Sequence, residues 1–291
     1  MEPHEFFARR AVFRRTEFAA AARAAGSSPK TIENTLAYHV RAGHLLRVRR
    51  GVYAVVPPGF DPGTVPLDPL LVASKLEDDA VIAYHSALEL HGVAHSVFQH
   101  FTYCTGRHTR PLPFRGQLYR PLPFPKALRD AGKERFAVAT ADRRGQDVRV
   151  TSLERALVDA LDRPNECGGW EEVWRSLESV SYFDLGLVAE YALLLRSVTL
   201  NAKVGFFLDR HRERLMVEDR HLERLRERLP SSPHYLTHPD RRPGRYVARW
   251  NLVVPPEFLA ASWDEGEGEF GAGLGAADGA AGARDNTQVP V

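Results

Sequence analysis

FRRTEFAAAARAAGSSPKTIENTLAYHVRAGHLLRVRRGVYAVV, Phe13 to Val56, reads as a helix, a tight turn, a second helix and a short two-stranded ribbon. Thr16 is placed to cap a helix over Glu17 to Ala25, and Gly26 suits the left-handed residue that ends it. Ser28 caps the next helix, with Pro29 at its first position, where the missing N–H costs nothing. That helix runs to about Ala42 and stops at Gly43. Leu45 to Val48 and Val52 to Val55 alternate as strands around Arg49-Arg50-Gly51. This order is that of a winged helix-turn-helix, whose second helix enters the DNA major groove.

On a helical wheel Ile32, Leu36 and Val40 share one face, which is expected to pack on Phe18 and Ala22. Lys30, Thr31, Asn34, Thr35, Tyr38 and Arg41 occupy the opposite face. Asn pairs with adenine edges, Arg with guanine edges, and Thr meets a thymine methyl. In the ribbon Leu46 and Val48 should point to the core, and Arg47 and Arg49 away from it. Arg50 at the tip is in reach of phosphate. An ordinary helical hairpin with a solvated face would show the same polar positions. The caps, the short turn, the ribbon and the exposed bases together favour DNA.

Outward from this stretch, charge is unevenly spread. The 291 residues carry a net charge of only +2, but residues 1–58 hold ten Lys or Arg against four Glu. Asp264, Glu265, Glu267, Glu269, Asp278 and Asp285 face Arg284 alone at the other end. A basic head calls for a polyanionic partner. Pro57, Pro58, Gly59, Pro62, Gly63 and Pro66 form a stiff link, so the organisation expected is 1–58 as a winged helix-turn-helix, 59–263 as a larger mixed α/β domain, and 264–291 as a disordered Gly, Ala and acid tail. The fold class expected is α+β.

In the second part, helices are expected over Asp68 to Glu77, Ser86 to His91, Leu153 to Leu161, Trp170 to Val180, Asp184 to Arg196, Ala202 to His211 and Asp219 to Arg228. Short strands are expected near Val81, Phe101, Gln117, Phe136 and Val148, with Pro111 to Pro125 as an extended loop and Tyr246 to Val254 as one final strand. Arg155 and Asp159, spaced i and i+4, read as a surface ion pair.

Enzyme chemistry finds little footing. GEGEFG, Gly266 to Gly271, matches a dinucleotide pattern, but it lies in the acidic tail and not between a strand and a helix. None of the five lysines has an acid two positions earlier, no D-x-D or Walker A string occurs, and no G-x-S-x-G elbow is present. His85, His91, His95, His100, Cys104 and His108 cluster in sequence. His91 and His95 have a zinc-like spacing, but Gly92 between them ends the helix and the acid of a zinc-peptidase motif is missing. No catalytic residue, metal or cofactor is therefore expected. Cys104 and Cys167 give no disulfide framework, and no run approaches the ~20 apolar residues of a membrane span. A cytoplasmic protein without a membrane partner is the expectation.

Five strings, in this order and spacing, carry a family resemblance: RRGVYAVVP (Arg49 to Pro57), IAYHSALELHGVAH (Ile82 to His95), VTSLERALVDALDRPNECGG (Val150 to Gly169), LNAKVGFFLD (Leu200 to Asp209) and RWNLVVP (Arg249 to Pro255). The chain resembles AbiEi-type antitoxins of abortive-infection, type IV toxin–antitoxin systems in phage defence. The resemblance implies a transcriptional autorepressor bound to inverted or direct repeats in its own promoter DNA. It also implies a C-terminal domain that counteracts a cognate nucleotidyltransferase-like toxin. The rival reading is a stand-alone regulator whose second domain senses a ligand or another protein.

Overall fold

The computed structural model describes residues 2–237 and 244–259; the expected acidic tail lies outside the described residues. The head comprises α1 (Pro3–Ala8), β1 (Val12–Arg14), α2 (Arg15–Ala24), α3 (Pro29–Arg41), β2 (Leu45–Arg49) and β3 (Val52–Val55). The three strands form an antiparallel sheet with β3 in the middle. Ser28 Oγ accepts from the Thr31 N–H at 3.1 Å and caps α3, with Pro29 in its first turn. Gly26 and Gly43 take φ of +83° and +77° where α2 and α3 end, a region that favours glycine. Thr16 does not cap α2, contrary to expectation. That helix begins two residues earlier, and Glu17 Oε2 accepts from the Arg14 N–H at 2.6 Å instead. Phe6, Phe7, Phe13, Phe18, Ile32 and Leu36 form the head's own core, and Ala22 joins it. Phe7 stacks on both Phe13 and Phe18, with centroids 5.6 and 5.5 Å apart.

The larger part begins with α4 (Pro69–Leu76), β4 (Val81–Ile82), α5 (His85–Leu90), β5 (His100–Thr105), β6 (Leu112–Phe114), β7 (Gln117–Pro123), α6 (Lys126–Asp130), β8 (Val138–Arg143) and β9 (Gln146–Thr151). Its six strands form one mixed sheet in the order β6-β7-β5-β4-β9-β8. Helices α7 (Leu153–Asp162), α8 (Trp170–Glu178), α9 (Leu185–Leu194), α10 (Val198–Arg210) and α11 (Asp219–Arg226) follow. A small sheet of β10 (His234–Tyr235), β11 (Arg245–Val247) and β12 (Leu252–Val254) closes the described chain. The whole is α+β.

Three expectations need correction. Pro111 to Pro125 is not a loop but holds the β6–β7 hairpin, turned at Arg115-Gly116. β6 covers β7 only as far as Tyr119, so Pro121 and Pro123 fall where one edge of β7 has no β6 partner and their missing N–H groups break no ladder there. Tyr246 to Val254 is two antiparallel strands, not one, because Asn251 turns the chain at φ +49°. Arg155 and Asp159 are not at the surface: their side chains are 0% and 2% exposed, since α7 packs against α5, α9 and α10 at once.

The head is seated on the larger part. Helix α4 is buried at every residue from Leu70 to Leu76 because it packs against β4, β5 and β9 as well as β1 and β3 of the head. Val12, Val48, Val52 and Ala54 of the head belong to the large core. Gln146 acts as a substitute strand for the edge of β1. Its Oε1 accepts from the N–H groups of Ala11 (2.7 Å) and Val12 (3.2 Å), and its Nε2 donates to the Val12 carbonyl at 2.8 Å. Lys75 Nζ meets Glu17 Oε1 at 2.8 Å. Burial pushes the Glu17 carboxyl up, but Lys75 and the Arg14 N–H outweigh it and hold the carboxyl below its usual range.

His211 is half-buried against Trp174 and Phe207, with ring centroids 5.6 and 4.6 Å away. Burial, then the charges of Arg214 and Arg210, press its pKa down to about 3. Between that value and the unfolded value of ~6.5 the unfolded chain binds the extra proton, so stability rises with pH across this window and falls as pH drops through it. His211→Phe is expected to reduce the slope of unfolding free energy against pH by up to ~1.4 kcal/mol per unit there. Denaturant melts from pH 4 to 7 check this; parallel slopes for both proteins would refute it.

Candidate nucleic-acid interface

The geometry of the head presents one polar surface. Along α3, Lys30, Thr31, Asn34, Tyr38 and Arg41 are exposed and Thr35 is half-exposed, while Ile32 and Leu36 are buried on the opposite side. Thr31 Oγ1 pairs with Ser28 Oγ at 2.8 Å, and Thr35 Oγ1 donates to the Thr31 carbonyl at 2.9 Å. Both hydroxyls are thus held by local partners, one by the cap and one by the helix backbone. Tyr38 is 58% exposed, its ring set edge-on to His39 at 5.2 Å. Arg41 Nε lies 3.4 Å from the Ala37 carbonyl, which keeps its side chain along the helix.

The ribbon departs from simple alternation. A bulge between Arg47 and Arg49 lets Arg47 pair with Tyr53 and Arg49 with Val52, leaving Val48 as the extra residue. Leu45 and Val48 are buried as a result, and Leu46, expected in the core, is only half-buried. Arg47 is exposed, and Arg50 is exposed at the turn beside Gly51, whose φ is +82°. Arg49 does not point outward as expected. The bulge turns it toward the end of α4, where its Nη2 donates to Glu77 Oε1 at 2.9 Å.

Between α3, the ribbon and the end of α4 lies a cleft of about 820 Å³. Arg41, Arg47, Arg49 and Arg50 line it, so the structure brings together the second half of the expected basic face and the ribbon. Lys30, Thr31, Asn34, Thr35 and Tyr38 are not among the lining residues. Three further arginines share the cleft: Arg14 and Arg15 at the β1–α2 junction, and Arg107 from the loop after β5. The tandem Arg14-Arg15 flanking the first helix of the motif could have signalled two of them; no local pattern marks Arg107. Acids also line the cleft. Glu33 pairs with Arg15 at 2.5 Å, and Glu77 and Asp78 meet Arg49, Arg14 and Arg107. Seven arginines against three acids leave the cleft cationic.

The histidine cluster is largely dispersed, although His85 and His100 both stack on Phe98. His85 is fully buried against Glu172 at 3.1 Å, His91 meets the Thr151 carbonyl at 2.8 Å, and His95 and His108 are exposed to differing degrees at the surface. Among the described residues no group of three or more His, Cys, Asp or Glu is arranged to hold a metal ion. Cys104 and Cys167 are buried free thiols, and burial raises both, Cys104 to about 12. No helix among the described residues is long and apolar enough to cross a membrane.

A solved structure, the RV2827C protein from Mycobacterium tuberculosis, superposes with a TM-score of 0.51 over 84% of this chain and 87% of that one, at 17% identity. At that identity the likeness speaks for the fold alone. No curated protein matches the chain. The resemblance read from the sequence is met by a family model over the head, while the strings from Ile82 onward lie outside the matched segment. Residues 2–56 of this chain match the family of AbiEi antitoxin transcriptional regulators.

Proposed function

We propose that this protein is a DNA-binding transcriptional autorepressor and antitoxin of an AbiE-like system. In this reading residues 1–58 are the DNA-binding module, α3 is the base-reading helix, and the ribbon is the phosphate-gripping wing. Residues 59–263 are the regulatory and antitoxin part, which counteracts a nucleotidyltransferase-like toxin. The observation that carries the reading is the arginine cleft beside an exposed polar helix face, six of whose seven arginines lie within the segment that matches a transcriptional-regulator family. Phosphate binding supplies sequence-independent affinity, and side chains on the helix supply the choice of base.

Asn34 is the residue assigned to base readout. It is exposed in the second turn of α3, and its amide can donate and accept at once, as an adenine edge requires. Asn34→Ala is expected to cost ~1–3 kcal/mol at one base pair of the operator and to relax preference there. Footprinting on the DNA upstream of this protein's own gene, followed by titration of single-base variants, tests both the site and the residue. Equal loss on operator and mixed-sequence duplex would remove Asn34 from readout. Absence of any footprint, with binding to mixed duplex no tighter than that of a neutral protein, would remove the repressor reading. Co-expression with a neighbouring nucleotidyltransferase-like protein tests the antitoxin role: growth must recover when this chain is present.

A further inference from the structure

The turn that follows α4 carries Glu77, Asp78 and Asp79, and it faces the base of the wing. Glu77 Oε1 accepts from Arg49 Nη2 at 2.9 Å, and Asp78 Oδ1 lies 2.6 Å from Arg14 Nη1. Arg107 reaches both acids, at 3.8 Å from Glu77 and 3.3 Å from Asp78. The turn itself is held in place. Asp79 accepts from the Thr105 hydroxyl and the Gly106 N–H, each at 2.6 Å, and Arg149 donates to the Asp78 carbonyl.

Two observations set these pairs apart from ordinary scaffold contacts. Nε of Arg49 and Nε of Arg14 are buried without a hydrogen-bond partner, so the acids satisfy their arginines only in part. Asp78 is 58% exposed, and an ion pair so open to water adds little to stability. All three arginines line the cationic cleft, and the two acids sit where a phosphate would meet them.

We propose that Glu77 and Asp78 are an intramolecular competitor for DNA phosphate. The inference rests on the DNA-binding reading above. In the free protein the two carboxylates occupy Arg49, Arg14 and Arg107. On binding, phosphate must displace them or share the arginines against their repulsion. The competitor lowers affinity for every sequence alike and so favours sites at which the base contacts of α3 make up the difference. It also links the larger part to the head, because the acids belong to the former and two of the arginines to the latter.

The test is the double variant E77Q/D78N, with each single variant, in the full chain. Amides keep the shape and one acceptor oxygen while removing the charge. Binding to a fluorescein-labelled mixed-sequence DNA duplex is expected to tighten by about three- to tenfold at low salt. The slope of log affinity against log salt should steepen by up to ~0.9 for each arginine released to phosphate. Unchanged or weakened binding by a variant that melts like the wild type overturns the proposal, since the acids would then only position the arginines. Should E77Q unsettle the fold, D78N alone decides, because its carboxylate is exposed: gain supports the competitor and no gain refutes it. The two readings fail separately. If the wild type does not bind duplex DNA, the DNA reading falls; if it binds and the amide variants show no gain, only the competitor falls.

Discussion

Replacing Arg47 and Arg50 together by alanine is expected to weaken binding to operator and mixed-sequence DNA to the same degree, and to flatten the salt slope by up to ~0.9 for each phosphate no longer neutralised. Both residues are exposed on the β2–β3 ribbon, both line the cationic cleft, and neither is paired to an acid in the way Arg49 is. Their guanidinium groups are therefore available to phosphate without displacing a carboxylate. With both cations removed, affinity near physiological salt should fall by roughly one to two orders of magnitude. The stability of the head should hardly change, since surface substitutions away from caps and cores stay within ~0.5 kcal/mol. Arg49→Ala alone should cost less binding and more stability, because it strips Glu77 of its nearer arginine and leaves only Arg107 at 3.8 Å. Fluorescence anisotropy across a salt series, with denaturant melts in parallel, separates these effects. An unchanged slope for the double variant would take the wing out of the interface.

The contrast between Arg49 and its neighbours shows what the sequence could and could not tell. Helix ends were legible because the signals are local: Ser28 before Pro29, and Gly26 and Gly43 where positive φ is needed. The packing of Phe18 and Ala22 against Ile32 and Leu36 was legible from helical periodicity. Strand β1 was not, because it is three residues long and its partner β3 lies some forty residues away. The direction of Arg49 depends on a bulge and on an acid twenty-eight positions further on, and nothing in LLRVRRGVY announces either. The proline run around β7 reads as loop because proline is generally excluded from sheets. The exclusion lapses where a strand edge has no partner, and that is a property of topology alone.

The same lesson bears on Arg155, where the expected cost is large. An i,i+4 Arg–Asp pair on an amphipathic helix reads as surface charge, worth a few tenths of a kcal/mol. Here the helix has no solvated face at that point. Arg155 Nη1 donates to the carbonyls of Glu134 (3.0 Å) and Phe136 (2.7 Å), which lead into β8, and Nε lies 3.5 Å from Asp159 Oδ2. Asp159 Oδ1 accepts from the Tyr191 hydroxyl of α9 at 2.6 Å, and the guanidinium sits 5.3 Å from the Tyr191 ring centre. One side chain thus ties the loop before β8, helix α7 and helix α9. Burial pushes the Asp159 carboxyl up, and Arg155 is the principal charge opposing that push. Arg155→Ala would leave two carbonyls and a carboxylate buried without their cation, at an expected ~3–5 kcal/mol. Arg155→Met, which nearly keeps the volume, should lose most of that as well, because the deficit lies in the unpaired charge and not in the cavity. Joining it with Asp159→Leu should recover part of the loss, since removing both partners of a buried pair costs less than removing one. Denaturant unfolding of the three variants decides the matter. A loss below ~1 kcal/mol for Arg155→Ala would mean that water reaches the site and that the pair does not hold these three elements together.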